Sequence, residues 1–425
     1  MSEQNPQQDK KNAAQVFLDE VMAGPDESGS GLSRFWQTIR IPLLAIFSGL
    51  LLGGLIIFLT TEDMYAATSL GDGLQLGFSA VWESYKALFT GSIGDPVRII
   101  NAFQSGDELE IRRAVNPFFE SLVATTPFIF GGLAVALGFR TGLFNIGAEG
   151  QLFIGAIFAV FVGYSFQGLP AIIHIPLALL AGFIGGGLWG FIPGWLKAKT
   201  GGHEVINTIM LNFIAFRLSE WLLNGPMKRP DSFNPISPLI LDSAKLPRFF
   251  EAPIRFHAGF FIALFVAWLV YWFLFKTKWG FELRMVGSNP HAARYAGINN
   301  VRATILAMSL SGALAGLAGT NEVLGLNYNL AVAFSAGYGF DSIALALLGK
   351  SHPLGVVLAA LLFGTLRNGA TRMQLAAGIP IDIISVLQAM ILAFIAAPAI
   401  IRTVYRLRES DADKSEVFVS SWGGN

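Results

Sequence analysis

The 425-residue sequence contains no cysteine. That excludes disulfides, thiol nucleophiles and zinc–thiolate sites together, and it leaves the redox compartment open. Histidine is scarce as well: His174, His203, His257, His291 and His352 are dispersed and nowhere take up metal-ligand spacing. Charge is the third shortage, at 14% of residues against roughly 25% in soluble domains. Basic and acidic residues balance at 29 each, so no global field draws nucleic acid. No Ser-His-Asp order and no carboxylate pair in an apolar pocket stands out, which leaves an enzyme without a catalytic constellation.

Apolar residues are what the chain has, at 53%. Crossing a bilayer takes about 20 of them in a row. Ten stretches qualify or come close: 41–61, 118–139, 146–164, 172–196, 205–223, 256–275, 303–320, 338–348, 355–366 and 383–401. The predicted fold class is therefore all-α: a polytopic membrane protein of about ten helices, some of them broken by glycine. An even number puts both termini on one side. Lys10, Lys11, Arg34 and Arg40 before the first span, with Arg402, Arg406, Arg408 and Lys414 after the last, mark that side as cytoplasmic.

The predicted organisation is a polar, disordered tail over 1–40, with a short helix over 13–22, then an anchor over 41–61. An extracytoplasmic segment over 62–116, with an amphipathic helix on the membrane surface, leads into a membrane core over 117–402. A second polar tail follows. Six prolines in 224–255 predict a compact folded cap.

Residues 138–156, GFRTGLFNIGAEGQLFIGA, are neither a clean span nor a polar loop. Gly138, Gly142, Gly147 and Gly150 interrupt them, and Asn145, Glu149 and Gln151 put polar groups where bilayer is expected. Irregular backbone at that depth is tolerated only inside protein or along a watery cavity, and an ionisable group there marks function by default. Two readings stand side by side: these residues line a transport path, or they brace a broken helix, with Glu149 at a positive helix start. A looser counterpart is 325–339, GLNYNLAVAFSAGYG, and paired interrupted segments point to a central path.

Glu204, Thr208 and Asn212 are spaced to form one polar stripe on a helix. They either hydrogen-bond a solute or act as interhelical glue. Arg217 and Glu220 are spaced to pair with each other. Arg367, Arg372 and Asp382 flank the break GATRMQLAAGIP and read as snorkelling charges or, alternatively, a gate. Phe144 and Phe153 are candidates to stack on a flat ring.

The loop 276–304 is mechanically explicit. Asn289 can cap a helix that opens on Pro290, and Gly297 suits the left-handed residue that stops it. A helix over 290–296 results, with Ala292, Ala293 and Ala296 forming a small-residue face and Arg294 and Tyr295 beside it. It is either a docking knob for a partner's groove or a plain connection.

Here the sequence resembles a known family. AARYAGIN (292–299) is similar to the coupling loop of ABC importer permeases, and FNIGAEGQLFIGA (144–156) resembles the signature of the branched-chain amino acid and simple-sugar permease superfamily. GGHEVINTIMLNFIA (201–215) and GFDSIALALLGKSHPLG (339–355) resemble its nucleoside-uptake branch. The likeness runs from about residue 116 to 402. It implies a permease subunit working with a second homologous permease, a cytoplasmic ABC ATPase, an extracytoplasmic substrate-binding lipoprotein and the surrounding membrane lipid, without nucleic acid, metal or cofactor. The coupling residues would be Pro290, Ala292, Ala293, Arg294, Tyr295 and Gly297. Gly349-Lys350-Ser351 ends like a phosphate-binding loop, yet Ala344 stands where its first glycine must be, so hydrolysis falls to another chain. The alternatives are a permease for simple sugars or other small solutes and, in a different class, an ion-coupled secondary transporter with Glu149 as its ion site.

Overall fold

The computed structural model describes residues 31–378, 381–396 and 398–406. The expected short helix over 13–22 and the polar tail after 406 lie outside the described residues, as do residues 1–30 of the leading tail. Among the described residues there is no strand, and the chain is built from helices: α1 (Gly31–Thr60), α2 (Glu62–Ala66), α3 (Leu70–Ile93), α4 (Pro96–Ser105), α5 (Glu108–Arg140), α6 (Ala148–Ser165), α7 (Ala171–Thr200) and α8 (Glu204–Asn224). After a cap come α9 (Gly259–Lys276), α10 (Lys278–Ser288), α11 (Pro290–Tyr295), α12 (Asn300–Asn321) continued by a π turn (Glu322–Asn327), α13 (Tyr338–Leu348), α14 (Pro353–Ala377), α15 (Ile381–Ala396) and α16 (Pro398–Val404).

Seven of these are long and apolar enough to cross a membrane: α1, α5, α6, α7, α9, α12 with its π turn, and α14. They match seven of the ten expected spans. The other three differ for physical reasons. Helix α8 is long but carries Glu204, Arg217 and Glu220, and α15 has only 16 residues. The 11 residues of α13 rise about 16 Å, half a bilayer core. Helix α13 is therefore a half-helix, entered through irregular backbone after the π turn.

Helix α5 is the central pillar. Phe128, Phe130, Leu133 and Leu137 along it are fully enclosed, and it packs against α9, α12, α13 and α14. Around it, α6, α7 and α12 approach backbone to backbone. A Cβ on Gly186 would land on the Gly312 carbonyl, and one on Gly155 would strike Gly316. Only hydrogen at these positions allows the separation, and the dispersion gained holds helices together where lipid gives no hydrophobic drive.

The stretch before α5 contains the expected amphipathic helix. It is α4, capped by Asp95, which accepts from the backbone N–H of Val97. Val97, Ile100 and Phe103 expose one apolar face of it. The cap 225–258 is folded over the far end of the second break. Its Ser237, Ile240 and Leu246 N–H groups donate at 2.9 Å to the carbonyls of Leu330, Tyr328 and Leu324. These bonds satisfy backbone that the π turn and the irregular run would otherwise leave unpaired.

Candidate functional site

Helix α5 ends in a Schellman motif: Gly142 takes φ 70°, its N–H donates to the Phe139 carbonyl, and the Leu143 N–H donates to the Gly138 carbonyl at 3.0 Å. Beyond it, Asn145 is wholly buried. Its Oδ1 accepts from the Gly147 N–H at 2.9 Å and from Gln151 Nε2 at 3.2 Å. Its Nδ2 donates to Gln151 Oε1 and to Ser311 Oγ, both at 2.8 Å, and Ser311 passes its own proton to the Ala134 carbonyl. One side chain thus joins α5, α6 and α12.

Asn212 on α8 closes the other side. Its Nδ2 donates to the Ile146 carbonyl at 2.9 Å, while its Oδ1 accepts from the Gly150 N–H at 2.8 Å. Thr208, one turn earlier, abuts Gly147 and bonds back to the Val205 carbonyl. Glu204 does not reach this group; it accepts from Lys197 Nζ at 2.7 Å and closes the α7–α8 turn. Glu149 accepts from the Gly339 N–H at 2.6 Å, at the start of α13. A carboxylate at that point complements the positive end of the half-helix and ties the first broken segment to the second. Of the predicted path residues, the structure gathers Asn145, Gln151, Thr208 and Asn212 around the break and sets Glu149 between the two breaks. Glu204 stands apart.

Phe153 is buried with Phe216 and Phe334 rings at 4.9 and 4.8 Å, and Phe144 packs on Phe139 at 4.9 Å. Arg217 and Glu220 pair at 2.6 Å, as their spacing predicts.

A second polar region runs beside α5 and α14, and the sequence reading did not find it as a unit. Arg255 of the cap donates through Nε to Glu120 Oε1 at 3.0 Å and through a second guanidinium nitrogen to the other oxygen. Glu322, on the π turn and 3% exposed, lies in electrostatic reach of Arg255 and Arg367. Arg367 does not snorkel outward. It pairs with Asp341 at 3.1 Å, donates to the Ala336 carbonyl at 2.7 Å and lies over the Tyr338 ring at 4.8 Å. The side chain of Asp382, its expected companion, lies outside the described residues.

This region also holds polar atoms without partners among the described residues: Asn116 Oδ1, His257 Nε2, and both amide atoms of Asn321. His257 Nδ1 accepts from the Gly259 N–H at 3.1 Å, which puts the proton on Nε2. Burial, with Arg248 and Arg255 nearby, pushes its pKa down to about 4. The available signal was Asn321-Glu322 at the end of an apolar run.

The loop helix forms as its caps dictate. Asn289 Oδ1 accepts from the His291 and Ala292 N–H groups at 3.0 Å, and Gly297 takes φ 80°. It ends at Tyr295, one residue short of expectation. Its small-residue face is divided: Ala292 and Ala296 are exposed, whereas Ala293 is fully buried against the protein. Arg294 is exposed, and Tyr295 stands out at 96% exposure. Helix α10 just before it touches the first break, because Gly287 packs on the Arg140 carbonyl and Gly142. Arg140 in turn donates to the Ser351 carbonyl at 3.0 Å. The exposed knob, the first break and the α13–α14 turn therefore meet at one end of α5.

Known proteins place this architecture. Residues 118–396 match the model of the branched-chain amino acid transport system permease component family. The guanosine ABC transporter permease protein NupP of Bacillus subtilis is 39% identical over 373 residues, covering 86% of this chain and 95% of its own. The nucleoside ABC transporter permease protein NupB of Lactococcus lactis is 33% identical over 89% of this chain and 98% of its own. The glucose ABC transporter permease protein TsgB13 of Haloferax volcanii is 38% identical over 65% and 75%. No solved structure matches the chain. With its pillar, its two broken segments and its exposed loop helix, the chain belongs to the branched-chain amino acid transport system permease family, as a multi-pass membrane subunit of a transporter.

Proposed function

We propose that this chain is one permease subunit of an ABC importer for nucleosides. It pairs with a second homologous permease, receives solute from an extracytoplasmic binding lipoprotein, and draws energy from a separate cytoplasmic ATPase. Both termini are cytoplasmic and the protein sits in the cytoplasmic membrane of a bacterium. The observation that carries the substrate class is the near full-length similarity to permeases named for guanosine and nucleosides. A simple sugar is the second reading, supported by the glucose permease that resembles a shorter part of the chain.

The loop helix α11 supports the proposed coupling. Pro290 and Gly297 set its bounds, while Ala292, Arg294 and Tyr295 present an exposed surface. Ala293 seats the helix. Because α10 touches Gly142, a push on α11 reaches the first break without passing through a flexible linker. Asn145, Gln151, Thr208 and Asn212 brace the broken backbone of the path, Glu149 couples the two breaks, and Glu204 holds the α7–α8 turn. Polar groups along α5 and α14 form the wet side of the path.

Uptake of labelled guanosine by cells making all the subunits tests the reading. Saturable guanosine uptake that excess glucose does not inhibit is expected. Glucose uptake that guanosine does not inhibit would reverse the assignment.

A further inference from the structure

Between α3, α5 and α14 lies an open cleft of about 390 Å³, within the usual range for small-molecule sites. Its polar lining comes from Asn116, Glu120, Asn368, Thr371 and Arg372, and Pro117 and Leu375 add apolar wall. The cleft is built by its neighbours. Gly91 of α3 lets the Arg372 stem pass, since a Cβ there would collide with it. Asn368 Nδ2 locks the three helices together through the carbonyls of Gly91 and Pro117 and the hydroxyl of Ser121, at 3.0, 2.9 and 3.0 Å.

What remains free in the lining is chemically mixed. Asn116 lines the cleft with the rest of its side chain, its Oδ1 being closed off from the opening without a partner among the described residues. Arg372 supplies donors, and Thr371 supplies a hydroxyl that both gives and accepts. Glu120 places a carboxylate in the same wall, although Arg255 holds it. An anion meets Glu120 unfavourably, and a cation meets Arg372. A neutral solute whose hydroxyls each donate and accept satisfies all of them. Pro117 and Leu375 offer a surface for an uncharged flat ring.

We infer that this cleft is a binding subsite for a neutral glycoside, with sugar hydroxyls on Asn116, Thr371 and Arg372 and the ring over Pro117 and Leu375. The inference deepens the nucleoside reading and rests on it for the identity of the ring. Glu120 joins the cleft to Arg255 of the cap, so the subsite adjoins the polar region beside α5.

The absence of cysteine makes a direct test available. Ala376→Cys, in the wall of the cleft but outside the proposed contacts, introduces the chain's sole thiol, and its reaction with a water-soluble maleimide is timed in the complete purified transporter. Guanosine should slow the reaction several-fold and ribose less, while inorganic phosphate and a short-chain phosphatidylglycerol should leave it unchanged. Protection by the phospholipid alone would make the cleft a headgroup site and overturn the inference, as would no protection by any of the four. Protection by ribose but not guanosine would keep the subsite and reject the nucleoside reading. Separately, Asn116→Ala and Arg372→Gln should each raise the KM for uptake about fivefold to tenfold, the cost of a lost hydrogen bond, with membrane level and maximal rate retained. Unaltered KM in both variants contradicts the assignment.

Discussion

The two polar regions of this molecule look alike in sequence and differ in how they are satisfied. Around the first break, Asn145, Gln151 and Asn212 spend their amides on one another, on Ser311 and on orphaned backbone. Beside α5 and α14, the buried Asn321 has neither amide atom bonded among the described residues, and His257 and Asn116 each keep one atom without a partner there. Buried polar groups are ordinarily paired, and those that are not call for a ligand, a water or a role. The contrast supports the proposal that the glycine-broken stretch acts as a joint and that the solute path runs beside the second region.

The sharpest way to break this comparison is Asn145→Leu. It strands Gln151, Ser311 and the Gly147 N–H inside the protein, at about 1–3 kcal/mol each. The expected result is little or no folded protein in the membrane, measured as detergent-resistant monodisperse material against the parent.

Next in size is the pH dependence set by His257. Its folded pKa is about 4, below the ordinary histidine value, so the native state holds it neutral while the unfolded chain charges it. Its contribution is therefore fully present above pH 6.5 and is lost as pH falls toward 4, up to about 3 kcal/mol. Thermal melting of the purified protein should fall across that window, and His257→Gln should flatten the slope.

The knob gives a paired prediction of intermediate size. Ala292→Glu, on the exposed face, should cut uptake about tenfold or more, roughly 1.4 kcal/mol of lost coupling, with normal membrane level. Ala293→Glu buries a carboxylate and should lower the amount of folded protein instead. If the two variants behave alike, α11 is only a connection.

The smallest expected effect is the most discriminating. Asn321→Leu removes two amide atoms that have no partners among the described residues, so stability should change by less than about 1 kcal/mol or even rise. Uptake should fall nonetheless. Loss of stability comparable with Asn145→Leu would erase the distinction between the two regions.

Much of this was legible in the residues. Asn289-Pro290 and Gly297 announced α11 because caps act within one turn, and the glycines of 138–150 announced a break because the conformations they permit are local. Seven spans followed from length and apolarity alone. What was hidden depends on partners remote in the chain. Asn145 reads equally as lining or brace until Ser311, 166 residues later, is seen against it. Arg367 reads as a snorkelling charge until the re-entry of α13 brings Asp341 and Tyr338 to it. Ala293 could not be told from Ala292, because a six-residue helix shows no periodicity from which to read its buried side. His257 and Asn321 meet only because the cap folds back over the π turn.

The most direct measurement of the account is solute accumulation in vesicles holding the purified permease pair, its ATPase and the binding lipoprotein. Uphill uptake should require the ATPase, ATP and an intact α11, and should be indifferent to imposed proton or sodium gradients. Uptake driven by such a gradient through this chain without the ATPase, and abolished by Glu149→Gln, would contradict it and make Glu149 an ion site.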